Sequence, residues 1–330
     1  MRGDADVHPL RLLSWPLGLA YGAVAALRNR AFDAGLRRVH RLGVPVVSIG
    51  NLTVGGTGKT PAVAWLCELA KARGRRPGVL ARGYGRAPGS ELNDEGAMLQ
   101  KRLPWLLQEQ DPDRVAAGAR LVQRGADFVV LDDGFQHRRL HRDVDVVCVD
   151  AVSPFGNGCC LPAGDLREHR SGLRRASIVL LTRAGALSPA ELSRRLEHVR
   201  AASGGHARVY ACDHAPVDVV EAPSTRVHGL DALRGRPVVL LSAIARPRAF
   251  RALVERLGGV VAAELRHRDH HRFTADDVAA AAAAATRASA WLLTTEKDDA
   301  RLGTSDVPRY VLRIELRFLG EPPPPAELLL

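Results

Sequence analysis

Residues Val44 to Leu66 read VPVVSIGNLTVGGTGKTPAVAWL. The apolar positions Val44, Val46, Val47 and Ile49 predict a buried strand, the glycine-dense stretch a turn, and Pro61 to Leu66 the opening of an amphipathic helix. Within the turn, Gly55, Gly56 and Gly58 free the backbone to take positive φ and to bring N–H groups close to an anion at the helix N-terminus. Lys59 is then placed for the β- and γ-phosphates of a nucleotide, and the Thr60 hydroxyl for Mg²⁺. The pattern GxxxxGK[ST] is not met in full, because Thr53 stands where its first glycine belongs. The stretch is a variant phosphate loop made of Thr53, Val54, Gly55, Gly56, Thr57, Gly58, Lys59 and Thr60.

Further along, ADFVVLDDGFQHRRL (Ala126 to Leu140) pairs a buried run, Phe128 to Leu131, with Asp132 and Asp133 at its end. Ligand groups gather at the carboxyl ends of strands in open α/β sheets, and a carboxylate there can hold nucleotide-bound Mg²⁺. Gln136 and His137 follow on the same loop. Strand-like runs recur at Pro77, Val144 to Val149, Ile178 to Leu181 and Val209 to Cys212, with a helix expected over Pro112 to Arg124. This spacing predicts an α/β fold with a doubly wound, mostly parallel sheet. The long loop PFGNGCCLPAGDLREH, rich in Gly and Pro, makes Arg167 and Glu168 candidates for nucleotide or substrate contacts. Asn93, Asp94 and Glu95 precede a helix that starts near Gly96, where acids commonly serve as caps.

The chain has 330 residues, 46% hydrophobic and 25% charged, which excludes a disordered protein and suggests two domains. Its net charge of +11 calls for an anionic partner without choosing among nucleotide, nucleic acid and membrane surface. Nucleic acid is disfavoured, because the basic residues are scattered and aromatics are only 5%. The five cysteines follow no CxxC spacing, so reduced core thiols are expected rather than a disulfide framework or a zinc site.

From Leu12 to Leu27 the chain carries no charge, with Arg11, Arg28 and Arg30 at the flanks. As a helix this segment would be about 24 Å long, short of the roughly 30 Å hydrocarbon core, and Pro16 interrupts it. A helix lying in a membrane interface and a helix packed on the protein's own core both fit. At the other end of the chain, Ala215 to Thr225 reads as a linker. A second strand–helix series follows, with strands at Pro237 to Ser242 and Val260 to Leu265, an alanine-rich helix at Ala275 to Ala288, and WLLTTEKDDARL. The expected division is residues 1–40 as an apolar membrane-associated segment, 41–214 as the phosphate-loop domain, 215–228 as the linker and 229–330 as a smaller α/β domain. HRDHHRF (His267 to Phe273) admits three readings: a metal cluster, a histidine paired with a distant carboxylate as general base, or a polar loop before a helix capped by Thr274.

Taken together, GNLTVGGTGKTP, ARGYGR, the NDE segment, LDDGFQH, LPAGDLRE, DHHRF and TTEKDDARL closely resemble, in order and separation, the tetraacyldisaccharide 4'-kinases, the lipid A 4'-kinases of Gram-negative bacteria. The resemblance spans nearly the whole chain. It implies ATP- and Mg²⁺-dependent phosphorylation of the 4'-hydroxyl of an acylated glucosamine disaccharide lipid, at the cytoplasmic face of the inner membrane, with the membrane surface as partner and no obligate protein partner. By the same resemblance Asp94 is the catalytic base, His270 its partner in the second domain, and Lys59 a catalytic charge. Thr60, Asp133 and Gln136 are implied as Mg²⁺ ligands, and Arg167 and Glu168 belong to a nucleotide motif. Asn93 and the glycine-free strand before Ala243 depart from the family pattern without touching those side chains. A nucleotide-switch NTPase and a metal-dependent phosphoesterase are the alternatives.

Overall fold

The computed structural model describes residues 9–86, 89–303 and 305–330. In chain order the elements are α1 (Pro9–Asp33), β1 (Val46–Asn51), α2 (Lys59–Ala72), β2 (Pro77–Ala81), α3 (Asp94–Arg102), β3 (Leu107–Gln110), α4 (Arg114–Gln123), β4 (Phe128–Asp132) and β5 (Val144–Asp150). They continue as β6 (Ile178–Thr182), α5 (Pro189–Ala202), β7 (Arg208–Ala222), β8 (Val227–His228), β9 (Pro237–Ser242), α6 (Pro247–Arg256), β10 (Val260–Arg266), α7 (Ala275–Arg287), β11 (Trp291–Thr295), α8 (Glu296–Leu302) and β12 (Arg309–Phe318).

The chain forms two compact units. One gathers the chain up to Arg82 with Leu106–His214 and Leu316–Leu330; the other gathers Gly83–Trp105 with Ala215–Glu315. In the first, the strands run parallel in the order β7-β6-β5-β1-β4-β2-β3. β1 sits centrally, every residue buried, so the loop leaving its carboxyl end lies at the middle of that edge. Val46, Leu80, Val129 and Leu131 pack against α4 through Ala117 and Leu121, while Leu52, Val147, Val179 and Leu181 build a second cluster with Val199 of α5. In the second unit β10, β9, β11 and β12 are parallel, and β8 pairs antiparallel with the far end of β7. Its own cores lie around Leu240, Val254 and Leu293, and around Leu241, Ala281 and Leu292. Both units are α/β, as the strand and helix spacing predicts.

Two boundaries differ from the sequence reading. The stretch 215–228 is not a linker, since β7 runs through it as strand to Ala222 and β8 follows. Most of its residues there are half-buried, with Val219 buried, and Pro216 and Pro223 give the stretch the look of a loop. In addition, Asp94 belongs to the second unit, not to the phosphate-loop domain. α3 packs on α8, with Lys101 Nζ 2.9 Å from Asp299 Oδ2, and Arg102 Nη1 donating to the Ile314 carbonyl at 2.8 Å.

α1 is one continuous helix that accommodates Pro16. Its inner face is small. A Cβ on Gly18 would meet Ala163 Cβ and the Cys160 carbonyl oxygen, both at 2.8 Å, so glycine there permits close approach to the loop after β5. Leu17, Tyr21, Val24 and Leu27, at helical spacing on another face, are between 42% and 69% exposed. Among the described residues no helix is long and apolar enough to cross a membrane.

Candidate active site

The loop after β1 leads into α2 through Gly58, which takes φ +83 with no side-chain cap on the helix. Uncapped N–H groups at a helix start are free to bind an anion. From within the loop's own unit, Asn51 Nδ2 donates to the Thr53 carbonyl at 2.6 Å and to Thr57 Oγ1 at 3.1 Å, and Thr182 Oγ1 donates to the Thr57 carbonyl at 3.0 Å. Thr53 and Thr57 are buried, whereas Val54 is 40% exposed. Lys59 and Thr60 open α2.

Asp132 ends β4, and Asp133 turns out of it with φ +51, a left-handed bend uncommon for a non-glycine residue and typical of functional turns. Lys59 Nζ stands 3.5 Å from Asp133 Oδ1, and Arg167 Nη1 donates to both Asp133 oxygens at 2.8 and 2.7 Å. Burial works against the charge on Asp133, but Lys59 and Arg167 outweigh it and hold the carboxyl below its ordinary range. Asp133 thus faces Lys59 at the start of α2.

Gln136 reaches back to β1: its Nε2 donates to the Asn51 carbonyl and to Glu168 Oε1, both at 3.0 Å, while its Oε1 is buried without a hydrogen-bond partner. That orphaned oxygen, the Thr60 hydroxyl and the Asp133 carboxylate are all oxygen donors, the kind Mg²⁺ takes. Close approach of the two loops depends on Gly50, where a Cβ would lie 2.6 Å from Phe135 Cβ. Glu168 is only 2% exposed and is saturated by its neighbours. Asn29 Nδ2 donates to it at 2.7 Å, and Arg175 grips it with two bonds of 2.9 and 2.8 Å. Glu168 therefore braces this site and offers little surface to a ligand.

Four residues of this site are not singled out by sequence reasoning. Asn29 and Arg28 tie α1 to it, the latter donating to the Gln136 carbonyl at 3.3 Å. Arg114 is buried near Asp133 and Asp132, and burial lowers its pKa by more than those acids raise it. His214 lies over Gly58, so that a Cβ on Gly58 would fall 2.1 Å from its Nε2. Burial pushes the His214 imidazole below its ordinary value, and Nε2 has no hydrogen-bond partner. No local pattern marks these residues, because their contacts are with residues distant in sequence.

The second unit holds Asp94 at the start of α3, where Asn93 caps the helix by accepting from Gly96 N at 2.9 Å. His270, at φ +63, brings Nδ1 to 3.5 Å from Asp94 Oδ2. The two are therefore neighbours within one unit, and no closure of separate domains is needed to pair them, contrary to the sequence expectation. HRDHHRF splits in two. His271 Nε2 lies 2.8 Å from Asp277 Oδ2, with the His267 ring stacked on His271 at 4.4 Å. Asp277 and Thr274 form a capping box on α7. Donor atoms of His267, His271 and Asp277 lie within 4.8 Å of one another. The parallel imidazoles do not converge on one point, and the carboxylate is committed to the cap, so the helix-start reading accounts for this half.

Four of the five cysteines are buried and all are free. Burial pushes the Cys67, Cys148 and Cys212 thiols up, which leaves them inert.

Comparison with known proteins fits this geometry. The family described as LpxK, Tetraacyldisaccharide-1-P 4'-kinase, matches residues 10–330. A tetraacyldisaccharide 4'-kinase of Anaeromyxobacter sp. (strain Fw109-5) is 46% identical over 306 residues, covering 87% of this chain and 82% of the relative. The same-named protein of Syntrophus aciditrophicus (strain SB) is 36% identical over 339 residues, covering 94% and 90%. Among solved structures, LpxK from Aquifex aeolicus in complex with ATP superposes with a TM-score of 0.76 at 25% identity, over 97% of this chain and 98% of that one. The chain belongs to the tetraacyldisaccharide-1-P 4'-kinase family.

Proposed function

We propose that the chain transfers the γ-phosphate of ATP to the 4'-hydroxyl of a tetraacylated glucosamine disaccharide 1-phosphate, with the phosphate loop and the Asp94 cluster in distinct roles. Family membership and the phosphate loop carry the kinase activity and its use of ATP and Mg²⁺. The residue roles below are supported by geometry.

The single observation that carries the reading is the juxtaposition of the uncapped start of α2, Lys59, Asp133 and Arg167. Loop amides, Lys59 and Arg167 neutralise phosphate charge, which is the main protein contribution to phosphoryl transfer. Thr60, Asp133 and Gln136 would hold Mg²⁺, which supplies further charge neutralisation when bound. Glu168, locked by Arg175 and Asn29, keeps Gln136 in place. Asp94 accepts the proton of the attacking hydroxyl, a contribution of about 10²–10⁴-fold, with His270 beside it. The exposed apolar face of α1, with Arg28 and Arg30 nearby, suits docking at an anionic membrane interface where an acylated substrate resides, at the cytoplasmic face.

The test is incubation with γ-labelled ATP, Mg²⁺ and the disaccharide acceptor. Label appearing on the lipid supports the kinase. Label released as phosphate regardless of acceptor favours the switch NTPase, and hydrolysis that survives Lys59→Ala favours the phosphoesterase.

A further inference from the structure

The Asp94–His270 pair is organised by a third side chain, that of Arg301 on α8. Its side chain is 2% exposed. Nε donates to Asp94 Oδ2 at 2.7 Å, and Nη1 donates to the Ala243 carbonyl at 2.6 Å and to Asp298 Oδ1 at 3.1 Å. Nη2 lies 3.2 Å from His270 Nδ1. Asp298 is itself fixed, fully buried, accepting from Thr295 Oγ1 at 2.8 Å and from Ala243 N at 3.1 Å.

A guanidinium has donors and no acceptor. The His270 nitrogen facing Arg301 must therefore present its lone pair, which places the ring proton on Nε2, the atom 3.9 Å from Asp269 Oδ1. Both contacts of Arg301 are shorter than the 3.5 Å between Asp94 and His270. Asp94 Oδ2 is thus held from one side, while Oδ1 makes no hydrogen bond among the described residues and remains for a substrate hydroxyl.

We propose that Arg301 is the positioning residue of this pair: it fixes the Asp94 carboxylate by one oxygen and sets His270 in its Nε2–H tautomer. The inference rests on Asp94 being the proton acceptor. It adds a requirement that acid and imidazole alone do not explain, because a buried donor bridging both is what keeps them in register. A misplacement near 1 Å costs on the order of 10²-fold in rate.

The test uses the full chain as Arg301→Met, Arg301→Lys and Asp94→Asn. Three quantities are read: kcat for transfer, ATP affinity by calorimetry, and the ¹⁵N shifts of the His270 ring, assigned by their loss in His270→Asn. Arg301→Met is expected to lower kcat about 10²-fold with ATP affinity unchanged, and to move the His270 signature toward a mixture of tautomers. Arg301→Lys keeps the buried charge but not the fork, so it should fold, lose at least about tenfold in kcat and show the same tautomer mixing. If Arg301→Met does not fold, Arg301→Lys decides alone. Wild-type kcat with an unchanged His270 signature in the lysine variant overturns the inference. Wild-type kcat in Asp94→Asn overturns the reading of Asp94 instead, and the inference with it.

Discussion

Arg167 holds Asp133 through a single nitrogen, Nη1, bonded to both carboxylate oxygens at 2.8 and 2.7 Å. With Lys59 at 3.5 Å, two cations meet one acid at the mouth of the phosphate loop. This arrangement lowers the pKa of Asp133 against the effect of burial, so its stabilising contribution is present above the ordinary carboxyl value near 3.8 and is lost as pH falls through the lower folded value. Urea denaturation from pH 6 to 2 should show a steeper loss of stability below about pH 4 in the wild type than in Asp133→Asn. Parallel curves would contradict the pairing.

His137 sets a second, separate pH window. Burial, with Arg114 and Arg142 nearby, pushes its imidazole down from 6.5 to about 4. The unfolded chain takes up that proton first, so stability is full above pH 6.5 and declines as pH falls toward 4. His137→Gln should flatten the curve in this interval, as read by denaturant titration at fixed pH steps.

Gly58 is required twice, by its φ of +83 and by the His214 ring lying where a Cβ would go. Gly58→Ala should weaken ATP binding at least tenfold, since a left-handed alanine costs about 1–2 kcal/mol before any clash. His214→Ala combined with it should recover part of the loss. Calorimetric titration of the two single variants and the double variant would measure the coupling.

The outer face of α1 predicts a separable defect. Leu17→Glu with Val24→Glu should strongly reduce sedimentation with anionic vesicles while leaving ATP affinity within about twofold, because each buried CH₂ contributes about 0.8 kcal/mol to docking. Asn29→Ala, on the inner face, should do the reverse by releasing Glu168, which it now contacts at 2.7 Å.

Local features were legible in the sequence and long-range ones were not. The phosphate loop is readable because strand, glycines, Lys59 and Thr60 are contiguous, and Asp133 because it ends an apolar run. Asp94 and His270 carry no local signal beyond a helix start and a polar loop; only the resemblance singled them out. Arg301 lies 207 positions from Asp94 in sequence, and no spacing rule connects them. Residues 215–228 read as a linker because Pro216 and Pro223 resemble loop punctuation and the half-buried strand between them carries no clear period-two pattern. β3, with buried Gln108 and Gln110, looks polar where a strand would be expected to look apolar.

The central claim is that Asp94 takes the proton while the phosphate loop holds ATP. Measuring ATP affinity and label transfer to the disaccharide lipid in one preparation of Asp94→Asn tests it most directly. The account predicts wild-type ATP affinity with transfer reduced at least about 10²-fold. Transfer at the wild-type rate, or loss of ATP binding together with transfer, would contradict it.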